Sequence, residues 1–193
     1  NWFSTYATIK EVVVGEGVEN IVDDAFSGCN LERVTFNCAN VGDWFSGYAT
    51  LKEVVLSENV TSIGDEAFYS CEALESVTFA EGSQLTSIGD SAFNYCNALE
   101  SIAIPNSVTS IGESAFEMCY GLVSATLSNS METIPNSMFY ECIGLKNVTI
   151  PESITTIGNE AFSDCYALES VTLPNSVTTV GAKAFQSCTK LES

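Results

Sequence analysis

Hydrophobic and polar residues alternate in short stretches of this chain, and the alternation returns again and again along its length. Residues 101–104 read Ser-Ile-Ala-Ile, and residues 170–173 read Ser-Val-Thr-Leu. A period of two with β-branched side chains predicts a short strand with one buried face. Pro105, Pro151 and Pro174 follow such stretches and predict where they end, because proline cannot donate a ladder hydrogen bond.

A two-residue anchor, isoleucine or valine followed mostly by glycine, sets the interval between these stretches. From Ile88 to Val180 the anchors are 23 residues apart four times in succession. The anchors are Ile63-Gly64, Ile88-Gly89, Ile111-Gly112, Ile134-Pro135, Ile157-Gly158 and Val180-Gly181, with shortened units at Ile21 and Val41-Gly42. Such a period indicates a solenoid. We expect about nine units, with the first and last truncated.

The residues after each anchor predict a short helix. In DEAFYSCEAL, the apolar residues Ala67, Phe68, Cys71 and Leu74 fall on one helical face. Asp or Asn opens several of these segments and is expected to cap the helix by accepting backbone N–H groups. The residues at this capping position are Asp65, Asp90, Asn136 and Asn159.

Together these patterns predict an α/β repeat solenoid of about nine units of ~23 residues. Parallel strands are expected on the concave face and short helices on the convex face. We expect one domain over residues 1–193, with divergent units in 1–62 and regular units in 63–193. We also expect the chain to be a fragment of a longer array, because it starts inside a repeat.

Charge and composition exclude several classes of function. The chain has 25 acidic and six basic residues, no histidine, and a net charge of −19. This charge repels phosphate backbones and anionic lipid, so we expect neither nucleic acid binding nor membrane insertion. Histidine is the commonest general base and a common zinc ligand in catalytic sites. We therefore predict no enzymatic activity, no metal and no cofactor.

Seven of the eight cysteines occupy one repeat position, three residues after a phenylalanine. They are Cys29, Cys71, Cys96, Cys119, Cys142, Cys165 and Cys188. Tyr6 and Tyr48 take this position in the first two units, so we interpret the cysteine as a small, buried, stacked side chain. A disulfide ladder is the alternative, because strand spacing places neighbouring positions about 4.8 Å apart. Cys38 lies outside the column and is expected to be the most exposed thiol.

The segment LESIAIPNSVTSIGESAFEMCYGL closely resembles the BspA-like leucine-rich repeat. The resemblance covers essentially the whole chain and is clearest over residues 63–191; unit two departs from it by lacking the alanine before Phe45. It implies a leucine-rich repeat fold and a secreted or surface-attached protein of a host-associated bacterium or parasitic protist. Characterised members of the family tend to be adhesins or binders of host proteins, so the resemblance implies adhesion.

Partners of leucine-rich repeats often dock on the outward strand positions of the concave face. Here the candidate partner-binding residues are Arg33, Thr35, Glu53, Ser76, Thr78, Ser101, Ser124, Thr126, Asn147, Thr149, Ser170 and Thr172. They are mainly hydroxyl and small polar groups, with Arg33 the main hot-spot residue type. Two hypotheses stay open: an adhesion module that binds a host or extracellular matrix protein, and a structural stalk without a partner of its own. The oligomeric state is left open.

Three further features carry predictions of their own. The acidic residues of the predicted helices are expected to form a solvated face, with attraction for a cationic partner or loose calcium binding as the alternatives. The triplets that begin at Asn59 and Asn147 match the glycosylation acceptor pattern. The aromatic residues Trp2, Trp44, Phe45 and Tyr48 are expected to cover the first coils, with a binding patch as the alternative.

Overall fold

The computed structural model describes residues 8–22 and 25–192, so Trp2 and Tyr6 lie outside the described residues. Most turns of the chain contribute one longer strand and one strand of two residues. The longer strands are β1 (Glu11–Val14), β2 (Arg33–Phe36), β4 (Glu53–Leu56), β6 (Ser76–Phe79), β8 (Ser101–Ala103), β10 (Ser124–Thr126) and β12 (Asn147–Thr149). The short strands are β3 (Asn40–Val41), β5 (Ser62–Ile63), β7 (Ser87–Ile88), β9 (Ser110–Ile111), β11 (Thr133–Ile134), β13 (Thr156–Ile157) and β14 (Thr179–Val180).

All strand pairs are parallel, and equivalent repeat positions face each other. In the longer strands Ser101 pairs with Ser124 and Ser124 with Asn147, and an isolated bridge continues the row to Ser170. The described residues form a β-solenoid of about seven turns. The expected nine units were too many, because that count included the partial units at each end, which add no complete turn.

Each side of the solenoid is divided into two sheets. The longer strands pair in the orders β1-β2-β4-β6 and β12-β10-β8, and the short strands in the orders β3-β5-β7-β9 and β11-β13-β14. In most units the anchor glycine donates its backbone N–H to the previous turn. The Gly112 N–H donates to the carbonyl oxygen of Ile88, and the Gly158 N–H donates to that of Ile134, both at 2.8 Å. Pro135 has no N–H to donate at this position, which explains the break between β9 and β11.

The short helices predicted after each anchor are wrong: none of the elements in the described residues is a helix, and these segments are stacked turns. Ser114 and Met118 both have a φ of 56°, whereas a right-handed helix needs a φ near −60°. The N–H groups of Ser114, Phe116 and Met118 donate to carbonyl oxygens of the next turn at 2.8–3.1 Å. A helix this short is marginal in isolation, and the stack offers its N–H groups partners between turns instead.

The predicted capping residues do accept backbone N–H groups, but from the next turn. The Asn136 side chain accepts from the Asn159 N–H, and the Asn159 side chain accepts from the Ala182 N–H, both at 2.8 Å. Asp65 and Asp90 do the same with the following turns. The sequence therefore correctly predicted that these side chains accept backbone N–H groups, but the N–H groups belong to the next turn. These side chains link turns rather than cap helices.

The core is a set of columns along the stack. Phe68, Phe93, Phe116, Phe139, Phe162 and Phe185 form one column, with ring centroids 5.2–5.7 Å apart and interplanar angles of 4–18°. The residues expected on the buried helical face, among them Ala67, Cys71 and Leu74, are fully buried in the turns. The burial pattern was thus predictable even though the backbone conformation was not.

The anchor glycine lies directly against the preceding turn. A Cβ atom at Gly158 would stand 2.6 Å from the backbone nitrogen of Asn136 and 2.6 Å from the carbonyl carbon of Pro135. Because both atoms belong to the backbone, they cannot move aside without shifting the turn. We therefore expect Gly158→Ala to lower the free energy of unfolding by about 2 kcal/mol or more, measured by urea denaturation.

Gly17→Ala is the matched control, since no atom lies within 4 Å of a Cβ at that position. We expect that variant to change the unfolding midpoint little. Equal midpoints for the two variants would contradict the close packing of the anchor against the turn before it.

Candidate functional site

The twelve candidate partner-binding residues all lie on the outward side of the longer strands or their continuation, which we call the strand face. All are exposed or partly exposed, whereas Val34, Ile102 and Ala125, which alternate with them, are buried. One row along this face runs from Arg33 through Glu53 to Ser76, and another from Ser101 to Ser170. The structure therefore places the candidate residues side by side, in register, on one solvent-exposed face.

The strand face has a charged end and a neutral end. At the charged end Arg33 Nη1 lies 3.5 Å from Glu53 Oε2, and Lys10 Nζ lies 2.6 Å from Glu32 Oε1. The hydrogen bond and charge of Lys10 lower the pKa of Glu32. From Ser76 onward the candidate residues are serine, threonine and asparagine. The face therefore offers many hydroxyl groups and one arginine, which is already ion-paired.

An open cleft of about 500 Å³ lies beside the first described turns, lined in part by Trp44 and Tyr48. Phe45, which was grouped with these residues, is fully buried and packs against Phe26 and Phe36 with ring centroids 5.8 and 5.5 Å apart. Phe45 is therefore a core residue, which removes it from the alternative of a binding patch. Trp44 and Tyr48 are partly buried against the same core.

The cysteine column is structural, as predicted, and from Cys71 to Cys188 each thiol donates to a backbone carbonyl oxygen. The Sγ atoms of Cys119 and Cys142 donate to the carbonyl oxygens of Phe93 and Phe116 in the previous turn, at 3.1 and 3.0 Å. The Phe93 carbonyl oxygen also accepts the backbone N–H of Cys96 at 3.2 Å. This oxygen therefore accepts two hydrogen bonds, and the Cys119 thiol supplies the second. All eight cysteines are described and all are free thiols, which excludes the disulfide ladder in this structure.

Cys38 is fully buried, so the prediction that it is the most exposed thiol was wrong. It lies between β2 and β3, where the chain turns from one sheet to the other, and its Sγ lies 3.3 Å from the carbonyl oxygen of Asn40. Cys38 lies outside the repeat column because the connection between β2 and β3 differs in length from the later connections. A difference in the length of a connection does not make its side chains exposed.

Burial makes the column cysteines poor nucleophiles. Loss of solvation raises the pKa of Cys71 and of Cys119 to about 12, and it raises the pKa values of Cys96 and Cys142 well above the usual range. A thiol must ionise to attack or to bind a metal strongly. At neutral pH these thiols stay protonated and act as hydrogen-bond donors.

The acidic residues of the turns lie at the surface, some partly covered by neighbours. Burial opposes ionisation of Asp164, but hydrogen bonds from Ser163, Ser187 and Tyr166 outweigh it and lower the pKa of that carboxyl. Within residues 8–22 and 25–192, no group of three or more cysteine, aspartate or glutamate side chains is arranged to hold a metal ion. In the same ranges no helix is long and apolar enough to span a membrane.

The asparagines of both glycosylation triplets are exposed. Asn59 Nδ2 donates to Glu16 Oε1 at 3.4 Å, and Asn147 lies in β12 on the strand face. Sugar attached to Asn147 would occupy that face directly. Whether either site is modified stays a prediction.

The raised cysteine pKa values predict an alkaline loss of stability. A buried thiol that stays protonated in the folded state but ionises in the unfolded chain stabilises the fold below pH 9, and this contribution is lost as the pH rises through about 12. We expect the unfolding free energy to fall over that range, and to fall less steeply in Cys119→Ser. Serine keeps a donor for the Phe93 carbonyl and does not ionise there.

Urea denaturation at several pH values checks this, with Thr126→Ser as a control substitution on the exposed strand face. An alkaline slope equal in Cys119→Ser and wild type would contradict the account of the column.

The fold and the repeat pattern have clear counterparts among known proteins. The sequence profile of the BspA type leucine-rich repeat region matches residues 1–83 and 82–192, in six copies. The crystal structure of a leucine-rich repeat protein from T. pallidum is 28% identical with a TM-score of 0.80, over 85% of this chain and 79% of that one. No protein of curated function matches the chain significantly.

Two further crystal structures share the architecture. A leucine-rich cell surface protein from Faecalibacterium prausnitzii A2-165 is 30% identical with a TM-score of 0.77, over 96% of this chain and 47% of that one. This chain thus spans about half the length of that protein. A leucine-rich repeat protein from Bacteroides ovatus, 23% identical with a TM-score of 0.55 over 95% and 63% of the two chains, shares the fold alone. The repeat, the parallel β-solenoid and the profile match agree: this chain belongs to the BspA-type leucine-rich repeat family.

Proposed function

We propose that this chain is a non-enzymatic protein-binding and adhesion module of a cell-surface or secreted protein, and that its partner contacts the strand face. Leucine-rich repeat proteins generally mediate protein–protein interaction, and a similar structure comes from a cell surface protein. A host or extracellular matrix protein is the class of partner we propose. The observation that carries the choice of face is its register: small, mostly polar side chains stand opposite one another on adjacent strands without being needed by the core.

Repetition is what would give such a face its affinity. Single serine or threonine contacts are weak, and Arg33, the main hot-spot residue type, is paired with Glu53 at 3.5 Å. Once a partner contacts one strand, its contacts with the neighbouring strands form within the same complex. Many weak contacts can therefore add up to a useful affinity. The charged end at β1, β2 and β4 would orient the partner along the row, because complementary charge fixes register more than affinity.

A structural stalk is the second candidate, and one observation favours it. The candidate residues on the strand face include no aromatic side chain, the residue class that dominates protein interfaces. In this hypothesis the hydroxyl rows only keep the sheet solvated, and any binding belongs to other parts of a longer protein.

Arginine substitutions on the strand face distinguish the two candidates. We expect Ser101→Arg and Thr126→Arg to weaken saturable binding to a panel of extracellular matrix and host surface proteins at least tenfold, because a long charged side chain blocks a flat face. Ser110→Arg is the matched control, since Ser110 is also an exposed strand residue but lies in β9 on the short-strand side.

Biolayer interferometry at physiological salt measures the binding, and circular dichroism checks that each variant is folded. Equal binding by all three variants would contradict the strand face as the contact surface. No binding by the wild-type chain to any panel member would favour the stalk.

A further inference from the structure

Three tyrosines form a continuous aromatic surface on the turns, away from the strand face. Tyr69, Tyr95 and Tyr120 come from three successive turns, and their rings meet edge to face. The ring centroids are 6.1 and 6.2 Å apart, with interplanar angles of 69° and 81°. Each ring is partly exposed, so the three side chains present aromatic surface to solvent as well as to each other. The core does not need them, because it is filled by the phenylalanine column.

Carboxylates border this aromatic surface without a nearby cation in the sequence. The Tyr95 N–H donates to the carbonyl oxygen of Glu117 at 3.0 Å, so Glu117 stands one turn along from Tyr95. Burial raises the pKa of Tyr120, and the neighbouring Tyr95 and the charges of Glu141 and Glu117 raise it further. A hydrogen bond to Glu141 raises the pKa of Tyr140 to about 12. Residues 53–145 contain 13 acidic residues and no lysine or arginine. The negative charge around the tyrosines is therefore not neutralised by this part of the chain.

In the same turns, two buried side-chain oxygens have no hydrogen-bond partner within the described chain. Their alternate backbone N–H groups are used between turns, as in the bonds from Ser91, Phe93 and Tyr95 to the following turn at 2.8–3.0 Å. The side-chain oxygens of Asn94 and Asn97, each adjacent in sequence to Tyr95 or Cys96, are buried and have no hydrogen-bond partner among the described residues. Asn94 is only 6% exposed. The aromatic faces and the carboxylates together favour a ligand that is both planar and rich in N–H donors.

We propose that Tyr69, Tyr95 and Tyr120, with Glu117 and Glu141, form a tyrosine patch that binds an arginine-rich segment of a protein partner. The guanidinium group is planar, always charged and rich in donors, so it stacks on aromatic rings and donates to carboxylates at the same time. Lysine supplies the charge without the planar stack. This second surface goes beyond the strand face, because it uses the turns and a different recognition chemistry.

The first test separates the aromatic contribution from net charge. The probes are peptides of nine arginines and nine lysines, measured by fluorescence anisotropy at physiological salt. We expect the wild-type chain to bind the arginine peptide more tightly. The double variant Tyr95→Leu/Tyr120→Leu keeps the net charge, and we expect it to bind the arginine peptide about tenfold more weakly and to lose the preference over lysine, at roughly threefold per ring.

Tyr95→Phe/Tyr120→Phe is the matched control, because it keeps both rings and removes only the hydroxyl groups. We expect it to retain the arginine preference. Circular dichroism confirms that each variant is folded, and if the double leucine variant does not fold, Tyr120→Leu alone is measured with an expected loss of about threefold. Unchanged binding in a folded leucine variant would overturn the proposal.

The second test separates local carboxylates from the overall negative field. Glu117→Gln/Glu141→Gln and Glu75→Gln/Glu100→Gln remove the same charge, but Glu75 and Glu100 are exposed residues that precede β6 and β8. We expect the first pair to weaken arginine-peptide binding at least fivefold and the second less than twofold, because screening at physiological salt limits charge effects to about 8 Å. Equal losses would overturn the patch in favour of diffuse attraction.

The strand-face variant Thr126→Arg shows whether the two proposals fail separately. We expect it to change arginine-peptide binding less than twofold while it weakens binding of the strand-face partner. A loss of both activities in Thr126→Arg would contradict a separate tyrosine patch.

Discussion

Hydrogen bonding between equivalent positions of successive turns is the constraint on which the rest of this structure depends. Each turn must present its polar backbone groups where the next turn presents complementary groups, so the repeat length and the register are held together. The strands do this through parallel pairing, and the turns do it through N–H groups such as that of Phe116, which donates to Met138. Even a cysteine side chain follows the rule, since Cys119 donates to the carbonyl of Phe93. Position 158 is occupied by glycine for the same reason, because the preceding turn lies directly against it and leaves no room for a side chain.

Much of this fold was predictable because a repeat shows the same pattern many times. The period of 23 residues, the alternating strands and the buried face that contains Phe68 and Cys71 all follow from residue order. The turn conformation does not, because a helix and a stacked turn can bury the same four apolar positions. What decides between them is a hydrogen-bond partner one turn away, and an isolated segment does not contain that partner. Glu66 and Ser70, with φ values of 53° and 56°, show the outcome in a segment read as helical.

The candidate surfaces differ in how visible they are in the sequence. The strand face could be located residue by residue, because period-two alternation states which side of a strand is outward. The tyrosine patch could not, because Tyr69, Tyr95 and Tyr120 occupy three different positions within their units and form no column in an alignment of repeats. The three rings meet only because adjacent turns are stacked closely on one another. Cys38 was misjudged for a related reason, since a position outside the repeat column says nothing about burial.

The tyrosine patch depends on the turns being stacked rather than helical, and through-hydrogen-bond scalar couplings measured by NMR test this most directly. The account predicts a coupling between the amide nitrogen of Phe116 and the carbonyl carbon of Met138, one turn further along the chain. The same experiment should show the equivalent coupling from Phe139 to Ala161. A coupling from the Phe116 nitrogen to the carbonyl carbon of Gly112, the partner that a helix would use, would contradict the account.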